Sequence, residues 1–174
     1  QTGDGRRESV QLSLILESSA EVAFNEIRHR ARLVKSFGPT PPVEASESQL
    51  GQAFLNLLVN AAQAIPEGRA DENEIGIATR TDESGRAVVE IRDTGRGIEP
   101  EVLPRIFDPF FTTRSVGQGT GLGLSICRGI VKELGGEIEV ETTVGKGSLF
   151  RVVLPAARVQ GVSAVIESAP APAA

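Results

Sequence analysis

Three short stretches carry residue types that could do chemistry together. In DTGRGI, Asp93 closes a strand-like run and Gly95 and Gly97 follow it. A carboxylate held on a rigid element can accept a hydrogen bond from a ligand, and the glycines free the backbone to turn tightly and approach that ligand. The same letters also describe an ordinary Asp-Gly turn. In GQGTGLGLSI, Gly119, Gly121 and Gly123 stand immediately before and within the first turn of a predicted helix. Free backbone N–H groups and a positive helix end suit an anion such as a polyphosphate, with a flexible hinge as the alternative. The stretch is neither a Walker loop, which needs a following Gly-Lys-Ser/Thr, nor a dinucleotide fingerprint, which needs a preceding strand. In NLLVN, Asn56 and Asn60 lie one helical turn apart, so both carboxamides can face one cavity. Mg²⁺ accepts a single amide oxygen when phosphates and water complete its octahedron, although such a pair is also found as a satisfied polar patch.

The helix that must position those amides is QLGQAFLNLLVNAAQAIP, Gln49 to Pro66, with no charged residue between Glu47 and Glu67. Leu50, Phe54, Leu57, Leu58, Ala61 and Ile65 fall on one stripe at the helical period, as a buried face should. A second stripe runs through Gln49, Gln52, Asn56, Asn60 and Gln63. Glu, Lys and Arg are better helix formers than Asn, so a face of neutral amides needs a reason.

Around it the chain reads as mixed helices and strands. Gln1 to Ser9 is polar and expected to be loose, and VQLSLIL can end a strand or open a helix. Glu17 to Arg30 repeats apolar residues at helical spacing, ARLVKSFG is a short strand, and GPTPPVEAS is a proline-interrupted connector with room for a strand at Val43 to Ala45. EIGIATRTD and RAVVEIRD, joined by ESG, suggest an antiparallel pair. A short amphipathic piece covers Pro100 to Ile106, and FDPFFTTRSVGQGTGLG is loop chemistry. Leu122 to Leu134 is helical and ends at Gly135-Gly136, a good C-cap, and EIEVETT with SLFRVVLP makes a last hairpin across VGKG. One sheet covered by helices on one face, an α+β sandwich over residues 10–155, is the economical packing. Residues 156–174 read as an Ala/Pro-rich tail or linker.

Composition bounds the rest. With 174 residues, 40% hydrophobic and 24% charged, the chain has the make-up of one soluble domain. A net charge of −5 argues against a general nucleic-acid binder. Cys127, the single cysteine, excludes an internal disulfide and reads as a small buried hydrophobe in a reducing compartment. No apolar run is long enough for a bilayer span and no leader is visible. The lack of any Met suggests a piece of something larger.

NLLVNAAQA, DTGRGI, FDPFF, GQGTGLGL and GKGSLF occur in the order and approximate spacing of the N, G1, F, G2 and G3 boxes. From about Val10 to Pro155 the chain resembles the ATP-binding catalytic domain of bacterial sensor histidine kinases, within the gyrase, Hsp90 and MutL superfamily. The wording NLLVNAAQAI, IFDPFFTTR and IVKELGGEIEVET is most similar to kinases of the nitrogen-sensor type. The resemblance implies the Bergerat fold, a two-layer sandwich with a mixed, largely antiparallel sheet, holding ATP and Mg²⁺ under a mobile lid. Asp93 would accept the adenine exocyclic amine, Gly95, Gly97 and Ile98 would lie along the base, and the Ser148 hydroxyl would reach adenine through water. Asn60 would be the Mg²⁺ ligand and Asn56 its partner at the phosphates. Phe107, Phe110 and Phe111 would anchor a lid from about Thr112 to Gln118, with Arg114 as a phosphate contact. Gly119, Thr120, Gly121, Leu122, Gly123 and Leu124 would form the phosphate-side loop and helix start.

The amide stripe then reads as the wall of a nucleotide site. In gyrase-like and Hsp90-like members a glutamate stands one turn before the metal-binding Asn and serves as general base for water. Here that position is Asn56, which has no useful basicity, so the resemblance implies transfer of the γ-phosphate to a better nucleophile. That nucleophile would be a histidine on a separate dimerisation domain, with a response-regulator receiver domain as the next acceptor. His29, the only histidine, lies within the catalytic match with no acid after it and reads as an ordinary surface residue. A homodimeric parent, a fragment compatible with a monomer, and a cytoplasmic location with a parent compatible with a membrane anchor complete the expectation. The competing readings are a stand-alone serine kinase of the anti-sigma-factor type and a degenerate nucleotide-binding interaction module, with a hydrolytic switch last.

Overall fold

The structure is a computed structural model that describes residues 5–112, 121 and 123–158. A five-stranded sheet in the order β2-β4-β5-β7-β6 carries the domain. Its strands are β2 (Arg32–Phe37), β4 (Glu74–Thr81), β5 (Ala87–Asp93), β6 (Glu137–Thr143) and β7 (Gly147–Leu154). Only the β2–β4 pair is parallel; β4–β5, β5–β7 and β7–β6 are antiparallel, which is the mixed sheet expected. A second, two-stranded sheet pairs β1 (Glu8–Val10) with β3 (Val43–Ala45). Glu8 and Ser9 therefore belong to a strand, and the run VQLSLIL does both things open to it: Val10 ends β1 and Leu12 opens α1 (Leu12–Ile27).

Helix α2 (Glu47–Gln63) is capped by Ser46, whose hydroxyl accepts from the Gln49 N–H at 3.5 Å. All six residues of its predicted apolar stripe are buried. They share one core with Leu16, Ala20 and Ile27 of α1, Ile75 and Ile77 of β4, Val89 and Ile91 of β5, and Phe150 and Val152 of β7. Helix α3 (Gly123–Glu133) closes with a Schellman motif: Gly136 N–H bonds the Val131 carbonyl at 2.9 Å and Gly135 N–H the Lys132 carbonyl at 3.0 Å. On the sheet face opposite this core, Arg151 lies between Leu149 and Val153. It bonds Glu139 at 3.0 Å and Glu141 at 3.2 Å, and pairs with Glu90 at 3.6 Å. Past the last strand, Ala157 N–H is tied to the Pro42 carbonyl at 2.8 Å. Among the described residues no helix is long and apolar enough to cross a membrane.

Cys127 is wholly buried in α3, and burial pushes its thiol from 9.0 up to about 12. The thiolate is the reacting species, so thiol–disulfide exchange with the native chain near pH 8 should run on the order of a thousandfold slower than after unfolding. Rates measured with a chromogenic disulfide reagent, with and without urea, check this; equal rates would contradict the buried placement.

Candidate functional site

A cavity of about 680 Å³ opens between α2, the end of β5 and the start of α3. From α2 it is lined by two adjacent ridges, Leu55, Val59 and Gln63 beside Asn56, Asn60 and Ala64. The neutral stripe thus has its explanation at Asn56, Asn60 and Gln63, which are cavity wall. Gln49 and Gln52 are exposed and do not line it. Asn56 on α2 and Ala64, its C-cap, mark the two ends, eight positions apart and so about 12 Å at the helical rise of roughly 1.5 Å per residue.

At the Ala64 end stands Asp93, the last residue of β5 and only 3% exposed. Its Oδ1 accepts from Gly95 N–H at 2.9 Å. Burial holds the carboxyl above its ordinary value, tempered by the backbone N–H groups of Gly95 and Ser148 and by the charge of Arg96. The loop after Asp93 is pinned on both sides: Arg96 N–H bonds the Ala64 carbonyl at 3.1 Å, and Gly145 N–H bonds the Arg96 carbonyl at 2.8 Å. Gly97 has φ 73°, and a Cβ there would collide with the Thr143 backbone. Gly97, Ile98 and Ser148 line the cavity, whereas Gly95 stands behind Asp93 and Ala64. The Ser148 hydroxyl lies 2.9 Å from that of Thr142, which also accepts from Ile98 N–H at 2.9 Å.

At the other end Asn56 and Asn60 face Gly121, Gly123 and Leu124, with Phe111 and Thr112 completing the wall. Asn56 donates from Nδ2 to the Gly123 carbonyl at 3.0 Å and accepts at Oδ1 from Gln52 at 2.7 Å. The Asn60 side chain makes no hydrogen bond to a described residue, so its amide oxygen is available to a ligand. Phe107 does not line the cavity; it packs against the core, with the Arg128 guanidinium 5.3 Å from its ring. Phe110 is 75% exposed with φ 66°, its N–H on the Gly121 carbonyl at 2.9 Å. Arg114, Gly119, Thr120 and Leu122 lie outside the described residues.

Several lining residues were not singled out in the sequence: Ala64, Arg96, Glu99, Val102, Ile106 and, just behind Ser148, Thr142. Arg96 was legible as the middle of DTGRGI. Ala64 and Thr142 are ordinary residues placed only by packing and by strand register. His29 sits in the turn after α1 and does not line the cavity; its Nε2 accepts from Arg28 at 3.1 Å.

The family model of histidine kinase-, DNA gyrase B- and HSP90-like ATPases matches residues 45–158, and the chain belongs to that family. Within it, this is the ATP-binding catalytic domain of a sensor histidine kinase. Sensor kinase CckA of Brucella abortus is 44% identical over 128 residues, which are 66% of this chain and 13% of that protein. Among solved structures, the mycobacterial sensor histidine kinase MprB superposes with a TM-score of 0.73 at 30% identity over 86% of this chain and 97% of that one. Full-length ShkA in complex with AMPPNP gives a TM-score of 0.74 at 25% identity, covering 89% of this chain and 32% of that one. The chain therefore spans a small part of CckA and about a third of ShkA.

Proposed function

We propose that the domain binds Mg-ATP in this cavity and presents the γ-phosphate to a histidine on a separate dimerisation domain. The observation that carries the reading is the pairing of a buried acceptor, Asp93, with an unengaged neutral amide, Asn60, along one cavity wall of nucleotide length. The adenine amine donates to Asp93, in reach of the carboxylate oxygen that Gly95 leaves free, and the base lies along Gly97 and Ile98. Ser148, backed by the Thr142 hydroxyl, provides a hydroxyl for a bridging water. The phosphates run toward Gly121 and Gly123, where the first turn of α3 directs N–H groups and a positive dipole end at an anion. Gly119, Thr120, Leu122 and Arg114 belong to the same phosphate end in this reading, and Phe107 and Phe111 to its lid anchor. The AMPPNP bound by ShkA accords with a nucleotide of this kind.

The donor set suits Mg²⁺ only in company with phosphate. Among the described residues no group of three His, Cys, Asp or Glu side chains could hold a metal alone. Asn60 offers one hard, neutral oxygen, which fits an ion whose other ligands are phosphate oxygens and water. Bound there, Mg²⁺ would neutralise triphosphate charge. The chain's own contribution is to fix the base, aim the phosphates along α2 and leave the far end open to an incoming imidazole. Asn56 cannot take a proton from water, so transfer prevails over hydrolysis. A response-regulator receiver domain is the proposed next acceptor.

Asn60→Ala is expected to remove most of the Mg²⁺ enhancement of ATP binding, about tenfold, while metal-free binding stays near the parent's. Calorimetric titrations with and without Mg²⁺ measure both. An unchanged enhancement would place the metal elsewhere.

A further inference from the structure

The amide chain on α2 points beyond the residues that touch the cavity. Gln52, exposed and one turn before Asn56, donates from Nε2 to Asn56 Oδ1 at 2.7 Å, and Asn56 passes the chain from Nδ2 to the Gly123 carbonyl at 3.0 Å. A carboxamide has two ends of nearly equal shape and opposite chemistry, and a half-turn about its last bond exchanges them. A carbonyl at Gly123 asks for the N–H end, and a donor at Gln52 asks for the oxygen end. Gly123 has no side chain to intervene: a Cβ there would stand 3.9 Å from both Cβ and Cγ of Asn56, so the amide lies directly on the start of α3.

We propose that Gln52 is a positioning residue for the triphosphate end of the site, resting on the reading of this cavity as the ATP site. Its donor fixes Asn56 with the N–H edge turned to α3 and the cavity. One N–H then staples α2 to the first residue of α3. The other remains for a phosphate oxygen. The acceptor end, engaged by Gln52, is kept from opposing the lone pairs of the phosphates. Gln52 itself touches neither nucleotide nor metal, so its effect should be felt through Asn56 alone and only by ligands that carry phosphate.

Gln52→Met removes the donor, keeps the length and neutrality, and falls on an exposed position. The parent chain and the variant are titrated with Mg-ATP and, by nuclear magnetic resonance shifts, with adenosine. The expected result is a threefold to roughly tenfold loss of ATP affinity, the worth of about one hydrogen bond, with adenosine affinity unchanged. In an Asn56→Ala background, Gln52→Met should have no further effect on ATP. An unchanged ATP affinity, parallel loss of ATP and adenosine, or an undiminished effect in the Asn56→Ala background would overturn the proposal. A parent chain that binds neither ligand would instead overturn the reading on which the proposal rests, and that failure shows in the parent rather than in the variant.

Discussion

Replacing Asp93 by Asn is expected to cost tenfold to about a hundredfold in ATP affinity while leaving the domain folded, since a hydrogen bond to a charged acceptor contributes roughly 1.5–3 kcal/mol. A carboxylate accepts at both oxygens. Oδ1 is taken by Gly95 N–H at 2.9 Å, and in the proposed reading the second oxygen serves the ligand. An asparagine side chain has one oxygen. Kept on Gly95, it leaves an NH₂ facing the adenine amine, donor against donor; turned to the adenine, it leaves an NH₂ facing Gly95 N–H. Stability should move the other way. Burial raises the Asp93 carboxyl above its ordinary 3.8, so the native state holds this proton to a higher pH than the unfolded chain does. That contribution is fully present below the unfolded value and lost as pH rises through the folded one. At neutral pH the parent therefore carries an ionised, buried group that the Asp93→Asn variant lacks. Urea unfolding at pH 7 should find the variant at least as stable as the parent, with its advantage shrinking toward about pH 4. A variant that binds ATP normally, or whose advantage grows on acidification, would contradict the placement.

The second large effect is expected at a residue that touches no ligand. Gly147 begins β7 with φ 124°, and a Cβ on it would overlap the Asp93 carbonyl and stand 3.0 Å from the Thr94 Cα. Gly147→Ala combines backbone strain with a clash against backbone, a loss of about 3 kcal/mol. Relief requires moving the end of β5, which carries Asp93, so ATP affinity should fall with stability. Gly145→Ala is the control in the same hairpin: φ is 79° but nothing lies within 4 Å, so only the conformational cost of about 1 kcal/mol remains. Urea midpoints at a common slope read both. Equal losses at the two positions would mean that the approach to Asp93 does not matter.

Much of this arrangement was legible because it is local and periodic. The apolar stripe of α2, the glycine pair after α3 and the acid at the end of β5 each announce themselves within a few residues. What stayed hidden depends on partners far along the chain. Glu8 to Val10 is too short to show a period, and it becomes a strand by pairing with Val43 to Ala45. The direction of β2 relative to β4 is a property of the pairing and not of either strand. Thr142 and Ala64 look like any threonine in an edge strand and any alanine in a helix. Register places the first beside Ser148, and the second meets the loop after Asp93 through its carbonyl. Gln52 was visible as one more amide. Only the distance to Asn56 reveals what it holds.

The amide face also explains why one fold can serve transfer or hydrolysis. A carboxylate at position 56 could activate water; the amide present there has its oxygen engaged by Gln52 and its nitrogen by Gly123. In the proposed reading, the site is thereby shaped to hold a triphosphate without consuming it.

The proposed placement of adenine at Asp93 and of a phosphate-bound metal at Asn60 makes a joint demand that calorimetric titration of the chain with ATP can meet or fail, run with and without Mg²⁺ and with GTP as control. Saturable one-to-one binding of ATP over GTP, tightened by Mg²⁺, is the predicted result. Equal binding of ATP and GTP, or no binding of ATP in the presence of Mg²⁺, would contradict it.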